Sequence, residues 1–195
     1  MEKQNRIYIA LLNQGWLRSE LFVYLLNTLQ DLNLLYFLET PMAQPVDNNR
    51  NQIVQRFLKS KCTHLLMIDH DVVPSNNIFE LIKQDKDIII YPVPIQQEEQ
   101  IMFNIYNLDN EGYWIEVDKQ DGLFEISAGG TGCILIKKNV LEKIKAPFER
   151  KYNKDGIAEL GQDLFFCTKA QQEGFKIYSH FDYTCSHYKT INLIK

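Results

Sequence analysis

The sequence predicts one α/β domain, residues 1–195, with a mostly parallel central sheet and a smaller antiparallel segment. Two observations predict this class. Apolar runs typical of buried strands alternate with amphipathic stretches through residues 6–91, which is the pattern of βαβ units. Two carboxylates, Asp69 and Asp71, directly follow one of these apolar runs. Open α/β sheets bind ligands at the carboxyl ends of their strands, so this pair is the first candidate for a functional site.

The first half of the chain reads as alternating strands and helices. An apolar run at 7–12 is typical of a buried first strand, and Ser19 is a candidate cap of the helix that follows. Asp47 is a candidate cap of the second helix. The predicted strands are 6–12, 34–38, 64–68 and 87–91, and the predicted helices are 19–30, 47–59 and 76–84.

The pattern changes after Pro92. Residues 94–100 are polar and are predicted to form a mobile loop, a candidate lid over a ligand site. Gly174 is expected to end the last helix. The other predicted elements are short antiparallel strands near 102–107, 113–117 and 123–126, a buried strand at 133–136, and helices at 139–144 and 163–173.

Composition and charge narrow the function classes. The net charge of −4 and the lack of a basic face argue against a nucleic-acid polymer as partner. The four cysteines form no CxxC pair, which indicates reduced thiols and a cytoplasmic protein. No run approaches the roughly 20 apolar residues that span a bilayer, so no transmembrane segment is expected. The oligomeric state does not follow from the sequence.

The spacing of Asp69 and Asp71 carries most of the chemical information. Two neighbouring carboxylates repel each other and are costly to bury unless a cation or several donors hold them. Oxygen ligands of this kind suit Mg²⁺ or Mn²⁺, usually shared with a phosphate. The simpler interpretation is that both acids end a strand and that Pro74 closes the turn.

Two later segments contain residues that suit a ligand site at the same edge of the sheet as Asp69 and Asp71. Asp163 lies at a predicted helix start, where it either caps the helix or acts as a general base on a hydroxyl nucleophile. The glycines Gly129, Gly130 and Gly132 permit a close backbone approach to a ligand, or form a tight turn before a core strand.

Two further side chains are candidates on chemical grounds. His187 becomes a third metal ligand if the tail folds back over the acidic edge, and an imidazole beside carboxylates favours Mn²⁺ over Mg²⁺. Arg50, near the start of the second helix, has the planar fork that clamps a phosphate. Each also has an ordinary interpretation, as a surface histidine and a surface arginine.

Taken in order, these segments resemble glycosyltransferases of the GT-A fold, the nucleotide-diphospho-sugar transferase type. The likeness is greatest to compact family-2-like bacterial and phage members and covers roughly residues 6–190. Asp69-His70-Asp71 looks like the DxD motif of the family, and Arg50-Asn51 looks like its RN pair. Residues 129–133 look like its glycine-rich acceptor-side segment, 161–163 like its G-E-D motif, and His187 like its C-terminal metal-binding histidine.

The resemblance implies a Rossmann-like GT-A domain that transfers a sugar from a nucleotide-diphosphate sugar, with a UDP-sugar favoured, to a glycan or other hydroxyl acceptor. Residues 1–91 would be the nucleotide-binding half, and 92–195 the acceptor and metal-closing half. Mn²⁺ or Mg²⁺ would be held by Asp69, Asp71 and His187, and the donor would also contact Arg50, Asn51 and Gly130. Asp163 would be the catalytic base of an inverting displacement.

One departure from the family pattern and two alternatives remain. Gln162 stands where the family usually has Glu. If the base of the family is the second acid, Asp163 keeps that role; if the first acid does essential work, this chain lacks it. A haloacid-dehalogenase-like phosphatase would instead use Asp69 as its nucleophile, although that motif normally lies on the first strand of the chain. A catalytically degenerate module that binds a sugar or a partner protein is the non-enzyme alternative.

Overall fold

The computed structural model describes residues 5–30, 32–42, 44–97 and 99–189. Four α-helices are present in these residues: α1 Ser19–Gln30, α2 Val46–Lys59, α3 Lys138–Lys143 and α4 Gln162–Gln172. Two 3-10 helices cover Ile78–Gln84 and Phe181–Tyr183. The strands are β1 Arg6–Leu12, β2 Leu35–Glu39, β3 His64–Asp69, β4 Val72–Pro74, β5 Ile88–Ile90, β6 Pro94–Gln97, β7 Gln100–Phe103, β8 Ile105–Leu108, β9 Trp114–Glu116, β10 Phe124–Ile126, β11 Ala128–Gly129, β12 Cys133–Lys137, β13 Lys151–Tyr152, β14 Ala158–Leu160, β15 Ile177–Ser179 and β16 Cys185–His187.

Seven strands form the central sheet, in the order β10-β15-β5-β12-β3-β1-β2. Strands β2, β1 and β3 are mutually parallel neighbours, and β5 is parallel to β15. Strand β12 runs antiparallel between β3 and β5, and β10 runs antiparallel to β15. The predicted α/β class is therefore confirmed, with a mixed sheet in which five of seven strands share one direction.

Helices cover both faces of this sheet. Side chains of α2, α3 and α4, including Phe57 and Phe166, pack on one face. Leu21 and Leu25 of α1 and the first 3-10 helix pack on the other. Strand β1 is apolar on both sides, since Ile9 faces the α1 layer and Ala10 faces the α2 layer. Strands buried on both faces are continuously apolar, which is why the sequence pattern located them.

Several expected elements differ from the structure. The third helix is a 3-10 helix that begins at Ile78, where Asn77 Oδ1 accepts a hydrogen bond from the Phe79 amide. Neither Ser19 nor Asp47 is a helix cap, because α1 begins at Ser19 itself and α2 begins one residue before Asp47. The segment expected near 123–126 exists as β10, but it belongs to the main sheet.

The predicted loop at 94–100 is instead a hairpin. Strands β6 and β7 pair in antiparallel register, with Pro94 opposite Phe103 and Gln97 opposite Gln100; Glu98 lies outside the described residues. The ladder hydrogen bonds of this pair argue against an irregular lid. A further small sheet, β11-β8-β9, accounts for the antiparallel segment that the sequence predicts.

The end of the described chain folds back over the sheet edge. Gly174 has φ +83° and ends α4, as predicted. After β15, strand β16 pairs antiparallel with β4, and this register sets His187 opposite Val72. All four cysteines are buried free thiols. Within the described ranges, no helix has the length and apolar character needed to cross a membrane.

Candidate functional site

The candidate site lies at the carboxyl ends of β1 and β3. These strands end side by side, with Leu12 paired to Asp69. A cavity of about 290 Å³ opens there. Its lining combines residues from both halves of the chain: Leu12, Asn13, Gln14, Gln44, Val46, Asn49, Arg50, Asp69, His70, Asp71, Gln162, Asp163 and His187. The structure thus brings together Arg50, Asp69, Asp71, Asp163 and His187, all of which the sequence singled out.

Arg50 is the centre of this arrangement. Its side chain is only 3% exposed, and it forms ion pairs with two carboxylates. Arg50 Nη1 donates to Asp163 Oδ1 at 2.8 Å, and Nη2 donates to Asp69 Oδ1 and Oδ2 at 2.9 and 3.0 Å. Nη2 also reaches the Thr131 carbonyl at 3.3 Å. A buried guanidinium bound in this way bridges two acids. Its predicted role as a phosphate clamp stays a prediction.

The pKa values in this bridge reflect burial and charge together. Burial alone would lower the pKa of Arg50, but the charges and hydrogen bonds of Asp69 and Asp163 outweigh it and raise the pKa. Burial raises the pKa of Asp69, and the attraction of Arg50 opposes this shift only in part. The neighbouring charges of Asp163 and Asp71 act in the same direction as burial on Asp69. Two acids therefore share the buried cation Arg50, and the charge of Asp71 nearby adds to the cost of ionising Asp69.

Thr131 completes the surroundings of Asp163. The Thr131 hydroxyl donates to Asp163 Oδ1 at 2.6 Å, and Thr131 is fully buried. Sequence reasoning gave this threonine no role, although it stands within the glycine-rich segment. Its position between Gly130 and Gly132, directly before a core strand, was the available signal.

Asp71 and His187 form a second pair in the cavity. His187 Nε2 lies 3.5 Å from Asp71 Oδ2, and His187 Nδ1 lies 2.9 Å from the Pro94 carbonyl oxygen. Because a carbonyl oxygen only accepts, Nδ1 carries the proton, and Nε2 of the neutral ring keeps its lone pair. In the protonated ring Nε2 also carries a proton, and its hydrogen bond to Asp71 favours this form and raises the pKa of His187. Burial alone would raise the pKa of Asp71, but His187 and His70 outweigh it and lower the pKa.

The donor set suits a metal site with two protein ligands. Asp71 supplies a readily ionised carboxylate, and His187 presents Nε2 while its Nδ1 proton is anchored on a backbone carbonyl, as in many metal-binding histidines. Both Asp69 oxygens accept from Arg50, and Asp69 also lines the cavity, so its part in the predicted set of three ligands stays a prediction. Among the described residues, no group of three or more His, Cys, Asp or Glu is arranged to hold a metal ion.

Asn51 and Gly130, which are predicted to contact the nucleotide-sugar donor, do not line the cavity. The Asn51 side chain is bonded to the backbone of Phe148, donating to its carbonyl at 2.6 Å and accepting from its amide at 3.0 Å. This exchange ties α2 to the segment before β13. Gly130 packs against Asn104, and a Cβ built on Gly130 would come within 2.2 Å of Asn104 Nδ2. The contacts of Asn51 and Gly130 with a nucleotide-sugar donor stay predictions.

Polar atoms without partners mark the inner wall of the cavity. Asn49 Oδ1 and Gln162 Oε1 are buried and have no hydrogen-bond partner among the described residues. Both side chains line the cavity, and they are 2% and 8% exposed as whole residues. An unpaired buried acceptor is costly, so two of them beside one cavity are typical of a site that binds donor groups.

Next to His70, which lines the cavity, lie aromatic and basic groups that the sequence did not single out. The rings of Trp16 and His70 meet edge to face, with centroids 4.4 Å apart. The Arg18 guanidinium lies 4.6 Å from the ring centroid of Tyr188 and 5.8 Å from that of Trp16. These contacts join the loop after β1 to the turn that carries Asp71 and to the end of the described chain.

Comparison with known proteins establishes the fold alone. No family model matches the chain, and no curated protein is significantly similar to it. The crystal structure of A197 from STIV aligns with 95% of this chain and 86% of its own, with a TM-score of 0.68 and 19% identity. HddC from Yersinia pseudotuberculosis, solved in complex with GMP-PN and also described without it, aligns at 12% identity. The complex has a TM-score of 0.42 over 70% of this chain and 79% of HddC. The other HddC structure has a TM-score of 0.40 over 72% of this chain and 80% of HddC. Neither value shows a common fold.

Proposed function

We propose that the chain is a metal-dependent glycosyltransferase of the GT-A type that moves a sugar from a nucleotide-diphosphate sugar to a hydroxyl acceptor. The observation that carries this proposal is the convergence of Asp71, His187 and Asp163 on one cavity at the carboxyl edge of the sheet. The proposed metal pair and the proposed general base line the same cavity, although more than ninety residues separate Asp71 from Asp163 in the chain. The arrangement suits a reaction that needs both a stabilised leaving group and an activated nucleophile.

Asp163 is the proposed base. Arg50 and Thr131 both donate to Oδ1, at 2.8 and 2.6 Å. Because the described hydrogen bonds to this carboxylate end on Oδ1, Oδ2 is the oxygen we assign to the acceptor hydroxyl. Deprotonation of that hydroxyl by Oδ2 would generate the nucleophile for an inverting displacement at the donor sugar. The neighbouring Gln162 is neutral and so does not compete for the proton.

Asp71 and His187 are the proposed holders of Mn²⁺ or Mg²⁺, with phosphate oxygens and water in the remaining positions. A cation bound there would offset the negative charge of the nucleoside diphosphate as it leaves. Asp69, fixed by Arg50, would limit the space beside the metal and orient the donor. The preference for a UDP-sugar rests on the family resemblance alone.

The phosphatase alternative has weaker support. It requires Asp69 as a nucleophile, but both of its oxygens accept hydrogen bonds from Arg50 Nη2. A carboxylate held in this way is less nucleophilic than a free one. The binding-module alternative rests only on Gln162, and it predicts ligand binding without turnover.

The proposal is tested by thermal unfolding of the purified chain with UDP, GDP, CMP or ADP, with and without Mn²⁺. We expect one nucleotide to raise Tm only when Mn²⁺ is present, and Asp71→Ala to abolish this increase. Asp118→Ala is the matched control, because Asp118 is exposed and lies outside the cavity lining. The donor class identified in this way is then offered as nucleotide-sugar in an assay for nucleotide release.

Each outcome has a distinct meaning. A Mn²⁺-dependent shift that survives Asp71→Ala contradicts the assigned metal position. Hydrolysis of a generic phosphate ester, without any nucleotide shift, favours the phosphatase. Nucleotide binding without any release of product favours the binding module.

A further inference from the structure

Strand β2 forms an apolar edge of the central sheet. Within the described ranges it pairs with β1 alone. Its first four side chains are large, apolar and about half exposed: Leu35 53%, Tyr36 47%, Phe37 50% and Leu38 40%. Edge strands are usually protected from pairing by charges, proline or a bulge. The first charge on this strand is Glu39, at its last position.

The exposed apolar surface continues on both faces of the edge. Leu35 and Phe37 line a groove of about 530 Å³ on the α2 side of the sheet. Leu38 lines a second groove, of about 420 Å³, on the α1 side, together with Phe22 and Leu26. Helix α1 adds three exposed side chains here: Phe22 60%, Val23 52% and Leu26 47%. A binding partner at this surface must therefore cover both the edge of β2 and the apolar side chains on either face of the sheet.

The backbone hydrogen-bonding groups at the open edge of β2 favour a protein strand over a lipid surface as the binding partner. A lipid surface would cover the apolar side chains, but an open sheet edge in hydrocarbon leaves backbone groups without hydrogen bonds. A second sheet edge supplies those hydrogen bonds. The β2 edge of another copy of this chain also brings its own exposed α1 and β2 side chains, so that apolar surface meets apolar surface.

The available area matches a dimer interface. Seven large side chains, each about half exposed, offer roughly 100 Å² apiece, or about 700 Å² for each copy. A standard stable interface buries about 800 Å² on each partner. The β2 edge and the exposed face of α1 are therefore sufficient for most of such an interface.

We propose that two copies of the chain associate through β2, antiparallel about a two-fold axis, so that their two seven-stranded sheets join into one. A two-fold axis requires the same patch on both copies and makes the paired strands antiparallel. With Phe37 at the axis, Leu35 of one copy lies opposite Glu39 of the other. The amino end of β2 is flanked by Arg6 and Lys61, which line the same groove. Glu39 at the other end is held by Arg56 of its own chain at 3.0 Å, so the apolar side chains and the strand backbone, rather than charge, would stabilise the pairing.

This association is independent of the proposed enzyme activity. None of the β2 residues Leu35–Glu39 lines the cavity that contains Asp71 and Asp163. Loss of the dimer and loss of catalysis are therefore separable outcomes, and the test below uses no substrate.

Sedimentation equilibrium tests the proposal on the full chain, from about 1 to 100 μM, because interfaces of this area reach affinities of micromolar or better. We expect the mass to rise towards twice the 22.9 kDa of the chain. Phe37→Lys sets like charges across the two-fold axis, and Leu38→Lys adds charge beside it; each should weaken association about 100-fold. Ile115→Lys is the matched control, since Ile115 is a strand residue of β9 with 49% exposure, and it should leave the mass unchanged.

Hydrogen exchange of the wild-type chain identifies the interface without any substitution. Backbone amides of 35–39 should exchange more slowly as the concentration rises, whereas those of β9 should not. The proposal fails if the wild type stays monomeric throughout the series, or if it dimerises while exchange at 35–39 stays constant. It also fails if folded Phe37→Lys and Leu38→Lys associate as tightly as the wild type, or if the monomer binds anionic vesicles through this edge.

Discussion

The guanidinium of Arg50 lies 2.8 Å from the carboxylate of Asp163, 113 residues further along the chain, while its other terminal nitrogen binds Asp69. One buried cation thus fixes the distance between the end of β3 and the start of α4. If Asp163 is the base and the neighbouring Asp71 helps to bind the metal, this bridge sets the geometry of the reaction. Arg50 would then be a positioning residue.

Substitution of Arg50 should destabilise the fold. Arg50→Met leaves Asp69 and Asp163 close together and partly buried without their shared counter-ion, which should cost about 3 kcal/mol in the free energy of unfolding. Urea denaturation measures this difference. Arg56→Met is the control, because Arg56 also binds a carboxylate in two places but is 41% exposed, and it should cost at most about 1 kcal/mol. Equal losses in the two variants would contradict a special role for the buried bridge.

Asp163→Asn should separate binding from turnover. The amide keeps the shape of the side chain but takes no proton, so we expect the rate of sugar transfer to fall by at least about 100-fold. The nucleotide-dependent rise in Tm should persist, because Asp163 is not among the proposed metal ligands. Transfer by Asp163→Asn at the wild-type rate would show that another group is the base.

His187 should control metal affinity. His187→Asn removes the imidazole that faces Asp71, and we expect Mn²⁺ binding to weaken by about 10- to 100-fold, as measured by calorimetry with nucleotide present. His180→Asn is the matched control, since the His180 ring accepts a hydrogen bond from the Asp182 amide and does not line the cavity. Unchanged Mn²⁺ affinity in His187→Asn would remove this residue from the proposed site.

Gly130 should resist substitution for steric reasons. In Gly130→Ala the new methyl group would meet Asn104 Nδ2 at 2.2 Å, and Asn104 Oδ1 is itself held by the Val93 amide. We expect a loss of about 1–3 kcal/mol in unfolding free energy. Gly161→Ala is the comparison, because nothing lies within 4 Å of its built Cβ and its φ of −65° suits any residue. A neutral Gly130→Ala would mean that Asn104 moves aside at little cost.

His64 should make the fold sensitive to mild acid. Burial, followed by the nearby charge of Lys137, lowers the pKa of His64 to about 4, whereas in the unfolded chain it is about 6.5. Between these values the unfolded state takes up a proton that the folded state does not. Stability is therefore lost as pH falls from about 6.5 to about 4, by about 3 kcal/mol in total.

Comparison of the wild type with His64→Gln isolates this contribution from those of the carboxylates. Urea denaturation at several pH values should show a smaller loss of stability in the variant over the same range. Equal pH dependence in the two proteins would contradict a neutral, buried His64.

Local patterns predicted the parts of the fold that depend on local physics. The apolar runs located β1, β3 and β12, because strands covered on both faces must be apolar throughout. Gly174 ends α4 as expected, since the left-handed conformation there favours glycine. The direction of β12 did not follow from its sequence. An apolar run indicates that a strand is buried, but not whether it runs parallel or antiparallel to its neighbours. The hairpin at β6 and β7 was missed because each strand has only four residues and β6 ends in two exposed glutamines.

The sequence by itself determined which groups can do chemistry: the acids Asp69, Asp71 and Asp163, and the imidazole of His187. It did so because the type of residue and its place at the end of an element are local properties. Only the tertiary structure decided their partners. Arg50 binds two acids, Asn51 binds backbone and Thr131 reaches Asp163, because side chains distant in sequence meet only when the sheet is assembled. A buried charge takes the nearest counter-charge that the fold provides, and no spacing along the chain encodes that choice.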